Sequence, residues 1–256
     1  MSWKTAFLLA ACVTLTLCAS SEKKLAQARE KDPKYQYNMG LFYLNSGNIP
    51  EAIKALDKSI ALSATNHLAW NALGLARAMS GEFEEAIRNY QKCLQISPRF
   101  SEAHNNLGTV YQELRFPDKA EAEFKLAAQD ETYMSRELPL LNLARLYYTQ
   151  DKLDQAFENV QRALQLKPRF GLALNLKGLI LEKKNDLGGA IVAYEQAVKA
   201  VPDDLTFNFN LAVACFKNGE YSRAKEVFEK ISNQVTDMET RDKIAQYLKI
   251  IKEKLG

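Results

Sequence analysis

Beyond Pro33 the sequence repeats itself every 34 residues, and this period constrains the fold more than any other feature. Gly40, Gly74 and Gly108 follow at steps of 34, and Gly178 stands 70 residues later, two periods plus two residues. Ala52, Ala86, Ala120, Ala156, Ala190 and Ala224 also step by 34, with one step of 36. Four residues after each of these Ala comes a large side chain: Leu56, Tyr90, Phe124, Val160, Tyr194 and Phe228. A fixed period of this length means a stack of small units, none of which buries its apolar face alone. Composition agrees. Eleven Gly and seven Pro are too few for a sandwich or barrel with a turn every 8–12 residues. Seven of the eleven Gly occupy two repeat positions (Gly40, Gly74, Gly108 and Gly178; Gly47, Gly81 and Gly219), and Pro98, Pro168 and Pro202 stand where repeats close.

The period and its residues resemble the tetratricopeptide repeat, with its pattern W-x2-L-G-x2-Y…A-x3-F…P. The second repeat has Trp70, Leu73, Gly74, Ala86, Tyr90 and Pro98, and the third has Leu107, Gly108, Tyr111, Ala120 and Phe124. Ala144 and Ala212 replace the glycine in repeats four and six. The resemblance implies an all-α chain, an α-solenoid (right-handed superhelix) of six tetratricopeptide helix pairs plus a C-terminal capping helix. The repeats fall at 33–66, 67–100, 101–134, 137–170, 171–204 and 205–238, and the cap at 239–256. Each pair is two antiparallel amphipathic helices. Small residues at the eighth and twentieth positions let the two backbones approach, and large ones fill the space between neighbouring pairs. The turn inside each pair calls for positive φ, which Gly47, Gly81, Asp151, Asn185 and Gly219 accept and Arg115 does so atypically. Residues 239–256 place Ile244, Tyr247, Leu248 and Ile251 at helical spacing, with Arg241, Lys243, Lys249, Lys252 and Lys254 on the other face. Such a helix covers the exposed core end of a solenoid with a soluble outer side.

The first eighteen residues read differently. Lys4 precedes Thr5–Leu17, thirteen uncharged residues, short of the roughly 20 a membrane span needs. This is the pattern of a secretory signal, 1–18, followed by a linker, 19–32. Leu15-Thr16-Leu17-Cys18 resembles the lipobox of bacterial lipoproteins, which implies lipidation at Cys18. Leu17 departs from the small residue expected there, and Leu9-Ala10-Ala11-Cys12 makes Cys12 a competitor. Ala19 is not the Asp of inner-membrane retention, so the implied address is the outer membrane, facing the periplasm. Ordinary cleavage after Ala19 or Ser20, giving a soluble periplasmic protein, is the alternative.

No catalytic constellation is present. The two histidines, His67 and His104, lack partners at metal-ligand spacing, and there is no phosphate loop, nucleophile elbow or paired-Cys motif. The expectation is a non-enzymatic binding protein without cofactor or metal. Cys93 and Cys215 occupy helix-packing positions four repeats apart and read as buried thiols. A formal charge of +3, from 34 Lys+Arg against 31 Asp+Glu, gives no ground for nucleic-acid binding.

In the tetratricopeptide family, first-helix positions two, five, nine, twelve and thirteen line a protein-binding groove. Carried over residue by residue, these include Tyr37, Leu41 and Leu44 in repeat one, and Leu68, Asn71, Leu75 and Met79 in repeat two. Asn105 follows in repeat three, Arg145 and Tyr148 in repeat four, and Phe209 and Phe216 in repeat six. Some of these apolar side chains are expected to pack on the next helix; the rest form an apolar groove that a partner covers. Tyr37/Leu41 and Asn71/Leu75 do not match the Lys/Asn pairs that clamp chaperone carboxylates.

A lipoprotein-type signal followed by six repeats resembles the type IV pilus pilotin lipoproteins. The junction Ala128-Gln129-Asp130-Glu131-Thr132-Tyr133-Met134-Ser135-Arg136, which carries the two-residue excess, is also similar to theirs. That resemblance implies an outer-membrane-anchored assembly factor for a secretin, with a secretin subunit as protein partner and the membrane touched only through the lipid. The alternative is a general periplasm-facing scaffold that recruits cell-wall or outer-membrane assembly proteins.

Overall fold

Thirteen helices of 12–18 residues run from Pro33 to Leu255 in the structure, a computed structural model that describes residues 28–256. The proposed signal, Cys12, Cys18 and most of the linker lie outside the described residues. In chain order the helices are α1 (Pro33–Asn45), α2 (Ile49–Leu62), α3 (His67–Met79), α4 (Phe83–Ile96), α5 (Ser101–Glu113), α6 (Pro117–Gln129) and α7 (Glu137–Thr149). They continue with α8 (Leu153–Leu166), α9 (Gly171–Lys183), α10 (Leu187–Ala200), α11 (Leu205–Lys217), α12 (Tyr221–Ser232) and α13 (Met238–Leu255). Among the described residues there is no strand. The described residues form two compact units that divide between Leu114 and Arg115.

Local chemistry sets the helix ends. Asn66, Asp186, Asp204 and Asp237 each accept a backbone N–H three residues on, and Asp32 accepts that of Lys34. Pro33 and Pro117 open α1 and α6, where a missing N–H costs nothing. Between the helices of a pair the chain makes one left-handed residue: Gly47, Gly81 and Gly219 at φ 74°, 77° and 81°, and Asp151 and Asn185 at 59° and 61°. Arg115 takes the same conformation at φ 60°. An L side chain there costs about 1–2 kcal/mol through its Cβ, partly offset because glycine loosens the unfolded chain. Arg115→Gly is therefore expected to stabilise the protein by about 0.5–1 kcal/mol. A urea titration with an unchanged slope would check this.

The repeated glycines are where two helices nearly touch. A Cβ built on Gly74 would lie 2.6 Å from the Tyr90 ring, one on Gly178 2.4 Å from the Tyr194 ring, and one on Gly40 2.5 Å from Leu56. In these three pairs the large residue of the sequence pattern thus lies against the glycine of its own pair. Leu56, Tyr90, Phe124, Val160, Tyr194 and Phe228 are all 0–1% exposed.

The fourth position of the repeat does more than fill space. In four repeats it is a donor that reaches back six residues to a carbonyl in the preceding connection. Gln36 Nε2 binds Glu30 O at 3.1 Å, Trp70 Nε1 binds Ala64 O at 2.9 Å, and Asn208 Nδ2 binds Pro202 O at 2.9 Å. His104 Nε2 lies 3.1 Å from Pro98 O, so that nitrogen carries the proton. Each bond satisfies a carbonyl that the closing turn leaves without a helical partner.

Within the second unit, α13 closes the end of the stack. Ile244 and Ile251 are buried, and Tyr247 lies over α11 and α12. Its ring stacks on Phe228 (centroids 5.1 Å apart) and meets Phe216 and Phe209 edge-on at 5.0 and 6.4 Å.

Candidate protein-binding face

Within each unit, first helices of successive pairs pack side by side: α1 on α3 and α3 on α5 in the first, α7 on α9 and α9 on α11 in the second. Their shared surface carries the residues expected to line a groove, and the structure sorts those residues into three groups.

In the first unit, Leu68, Leu75 and Met79 stand at i, i+7 and i+11 on α3 and are 38%, 37% and 55% exposed. Leu41 and Tyr37 on α1 are half-buried, both against the core that contains Leu73 and Ala76. These five form an apolar strip. Leu44 is different: it is buried within that same core, so its side chain supports the pair instead of facing a ligand.

Asn71 and Asn105 are buried polar residues. Asn71 Nδ2 donates to Glu102 Oε1 at 2.9 Å, and Asn71 Oδ1 accepts from Asn106 Nδ2 at 3.2 Å. Buried amides of this kind are retained only when paired, and these pairs fix the amide orientation. The same tie recurs in the second unit, where Asn210 Nδ2 donates to Asn175 Oδ1 at 2.9 Å. In both cases the sixth position of one repeat reaches the fifth position of the repeat before it. The partners of Asn106 and Asn210 are visible only in the stacked pairs.

In the second unit the expected strip is largely occupied from within. Phe209 and Phe216 are packed under Tyr247 and are part of the closing aromatic cluster. Both are half-buried, with α13 packed against them. Tyr148 has Lys183 Nζ 4.5 Å from its ring centre, and Lys183 also pairs with Asp151 at 3.0 Å. Glu182 accepts the Tyr194 hydroxyl at 2.8 Å and pairs with Lys217 at 2.7 Å. Arg145 is exposed. Ion pairs thus join successive repeats on this side of the unit, Lys183 to Asp151 and Lys217 to Glu182.

The remaining chemistry is quiet. Burial pushes the Cys93 thiol up to about 12 and the Cys215 thiol up to about 11, so neither is a thiolate at neutral pH. Both are free and buried. Among the described residues no cluster of His, Cys, Asp and Glu could hold a metal ion. No helix among them is long and apolar enough to cross a membrane.

Stacked helix pairs with a conserved-period turn and an inner face of first helices define a helical-repeat scaffold. Tetratricopeptide-repeat profiles match residues 33–66 and 181–245 ("Tetratricopeptide repeat"), 78–114 ("TPR repeat") and 107–208 ("Tetratricopeptide repeat-like domain"). The chain belongs to the tetratricopeptide-repeat proteins, which are scaffolds that bind other proteins.

Among solved structures, that of Pseudomonas aeruginosa PilF superposes with a TM-score of 0.76 at 19% identity, covering 86% of this chain and 99% of that one. PilW, described as a widely conserved type IV pilus biogenesis factor, superposes with a TM-score of 0.72 at 19% identity, covering 78% and 92%. In sequence, FlbA of Caulobacter vibrioides is 27% identical over 176 residues, 68% of this chain and 28% of FlbA. The chain therefore spans less than a third of that relative.

Proposed function

We propose that this chain is an outer-membrane lipoprotein that helps assemble a secretin in type IV pilus biogenesis, capturing a protein segment on the strip formed by Tyr37, Leu41, Leu68, Leu75 and Met79. The observation that carries the reading is the extent of the likeness to PilF, which covers 99% of that chain at a TM-score of 0.76. A match that covers 86% of this chain extends well beyond a few generic repeats. The likeness to PilW, a named pilus biogenesis factor, supports the same reading. The sequence adds a lipoprotein-type signal, with Cys18 as the anchor and Cys12 as its competitor. The exposed apolar side chains of α3 give the physical basis, since such a strip is stabilised when a partner removes it from water.

A general envelope scaffold is the second reading. It is favoured by the breadth of the sequence relatives, which include a BBSome subunit of Bos taurus, 23% identical over 218 residues, 41% of that protein. Deleting the gene separates the two. The pilus reading expects loss of heat-resistant secretin multimers and of pili, restored by the native chain but not by a Leu41→Glu/Leu75→Glu chain. Normal multimers and pili in the deletion strain would falsify it. Labelled palmitate should enter the native chain and be lost in Cys18→Ala; loss in Cys12→Ala instead would move the anchor to Cys12.

A further inference from the structure

We propose that the inner face of the first unit selects a protein segment combining apolar side chains with a lysine or arginine, the apolar residues lying on Leu68, Leu75 and Met79 and the cation meeting Glu102. The proposal rests on the capture reading above and specifies the chemistry of what is captured.

Glu102 stands at the second position of the third repeat and is exposed on α5. Asn71, itself clamped by Asn106, donates to one of its carboxylate oxygens and so holds the carboxylate beside the apolar strip of α3. The acid also lies within electrostatic reach of α1. Burial first, and then the negative charge of Glu102, raise the Tyr37 hydroxyl above its ordinary pKa. Tyr37, Asn71 and Glu102 therefore converge from three successive first helices.

Glu102 is an exposed carboxylate held in place by a buried amide and not by a cation. Five other carboxylates of this unit have a cation: Asp57 and Glu82 share Arg77, Glu51 meets Lys54, Glu85 meets Arg88, and Glu30 meets Lys58. Among the described residues neither Lys34 nor Arg77 forms an ion pair with Glu102. A wholly apolar segment laid on this strip would strip water from the carboxylate without replacement, which is costly. An acidic one would be repelled. A cation restores the charge balance, and the Tyr37 ring offers it a second favourable surface. The strip supplies affinity, and Glu102 supplies the choice of partner.

The test is selection of random 12-residue peptides displayed on phage against the chain, followed by calorimetric titration of the enriched peptides. Enriched sequences are expected to carry Lys or Arg among apolar residues. Their affinity should fall about tenfold in Glu102→Gln, a variant that keeps an oxygen acceptor for Asn71. Selection on Glu102→Lys should turn toward acidic peptides. Peptides without a cation, or peptides bound equally by native and Glu102→Gln chains yet lost by Leu75→Glu, overturn this inference and leave the capture reading standing. Peptides that the Leu41→Glu/Leu75→Glu chain still binds, or no enrichment at all, defeat the capture reading itself. Self-association in sedimentation that disappears in Glu102→Gln would assign the face to a second copy of this chain and also overturn the proposal.

Discussion

Gly178→Leu is expected to destabilise the second unit by about 3 kcal/mol or more, the upper range for overpacking a close contact. The first added carbon would already sit 2.4 Å from the Tyr194 ring, closer than van der Waals contact allows. The ring cannot swing away, because Tyr194 is fully buried and its hydroxyl is bonded to Glu182 at 2.8 Å. Glu182 is in turn paired with Lys217 on the next first helix, so a displaced ring disturbs two junctions. The chain itself contains the compensating solution. Repeat four has Ala144 and Val160 at the corresponding two positions, both without exposure. Gly178→Ala combined with Tyr194→Val should therefore cost less than the sum of the two single changes. A double-mutant cycle measured by urea unfolding checks this. Additive costs would mean that the close approach of ring and glycine does not govern the spacing of the pair.

Tyr247→Ala is expected to cost about 3 kcal/mol, the low end for deleting a buried aromatic ring, because this one is only half-buried. The ring contacts Phe228, Phe209 and Phe216, and with it go one stacked and two edge-on aromatic pairs. Ile244 and Ile251 still hold α13 in place, so the variant should fold with its end loosened. Amide exchange should rise across residues 205–255 while protection in α1–α5 is unchanged. A uniform rise in both units would show that the closing helix supports more than its own stack. Tyr247→Phe, which keeps the ring, should be nearly neutral.

Most of the pair architecture was legible because it depends on contacts within one repeat. The glycines at 40, 74 and 178 and the residues that lie on them are sixteen positions apart, and their spacing announces the close approach. The positive-φ turn was equally readable at Gly47, Gly81 and Gly219. Arg115 takes the same conformation although no propensity favours it there. The binding face was less legible, since exposure is decided by neighbours that sequence spacing does not reveal. Phe209 and Phe216 carry the same positional signal as Tyr37 and the other strip residues. The docking of Tyr247 against them leaves them half-buried. Leu44 shares its core with Ala72 and Leu73 of the following repeat, a contact that periodicity alone does not distinguish from exposure. The donors at Gln36, Trp70, His104 and Asn208 were hidden for another reason: four different side chains perform one task.

The asparagine ties have a mechanical consequence. Each is a directional bond across a junction, Asn71 with Asn106 and Asn175 with Asn210, and it holds only at one mutual rotation of the two pairs. The junctions preceding them have apolar residues at the same two positions, Tyr37 with Ala72 and Leu141 with Leu176. Apolar contact is non-directional and tolerates a few degrees of slip at little cost. Each unit thus alternates a compliant joint with a latched one. Bending of the inner face around a ligand is therefore expected to concentrate at Tyr37 and Ala72 in the first unit, while the latched joint beside it keeps its geometry.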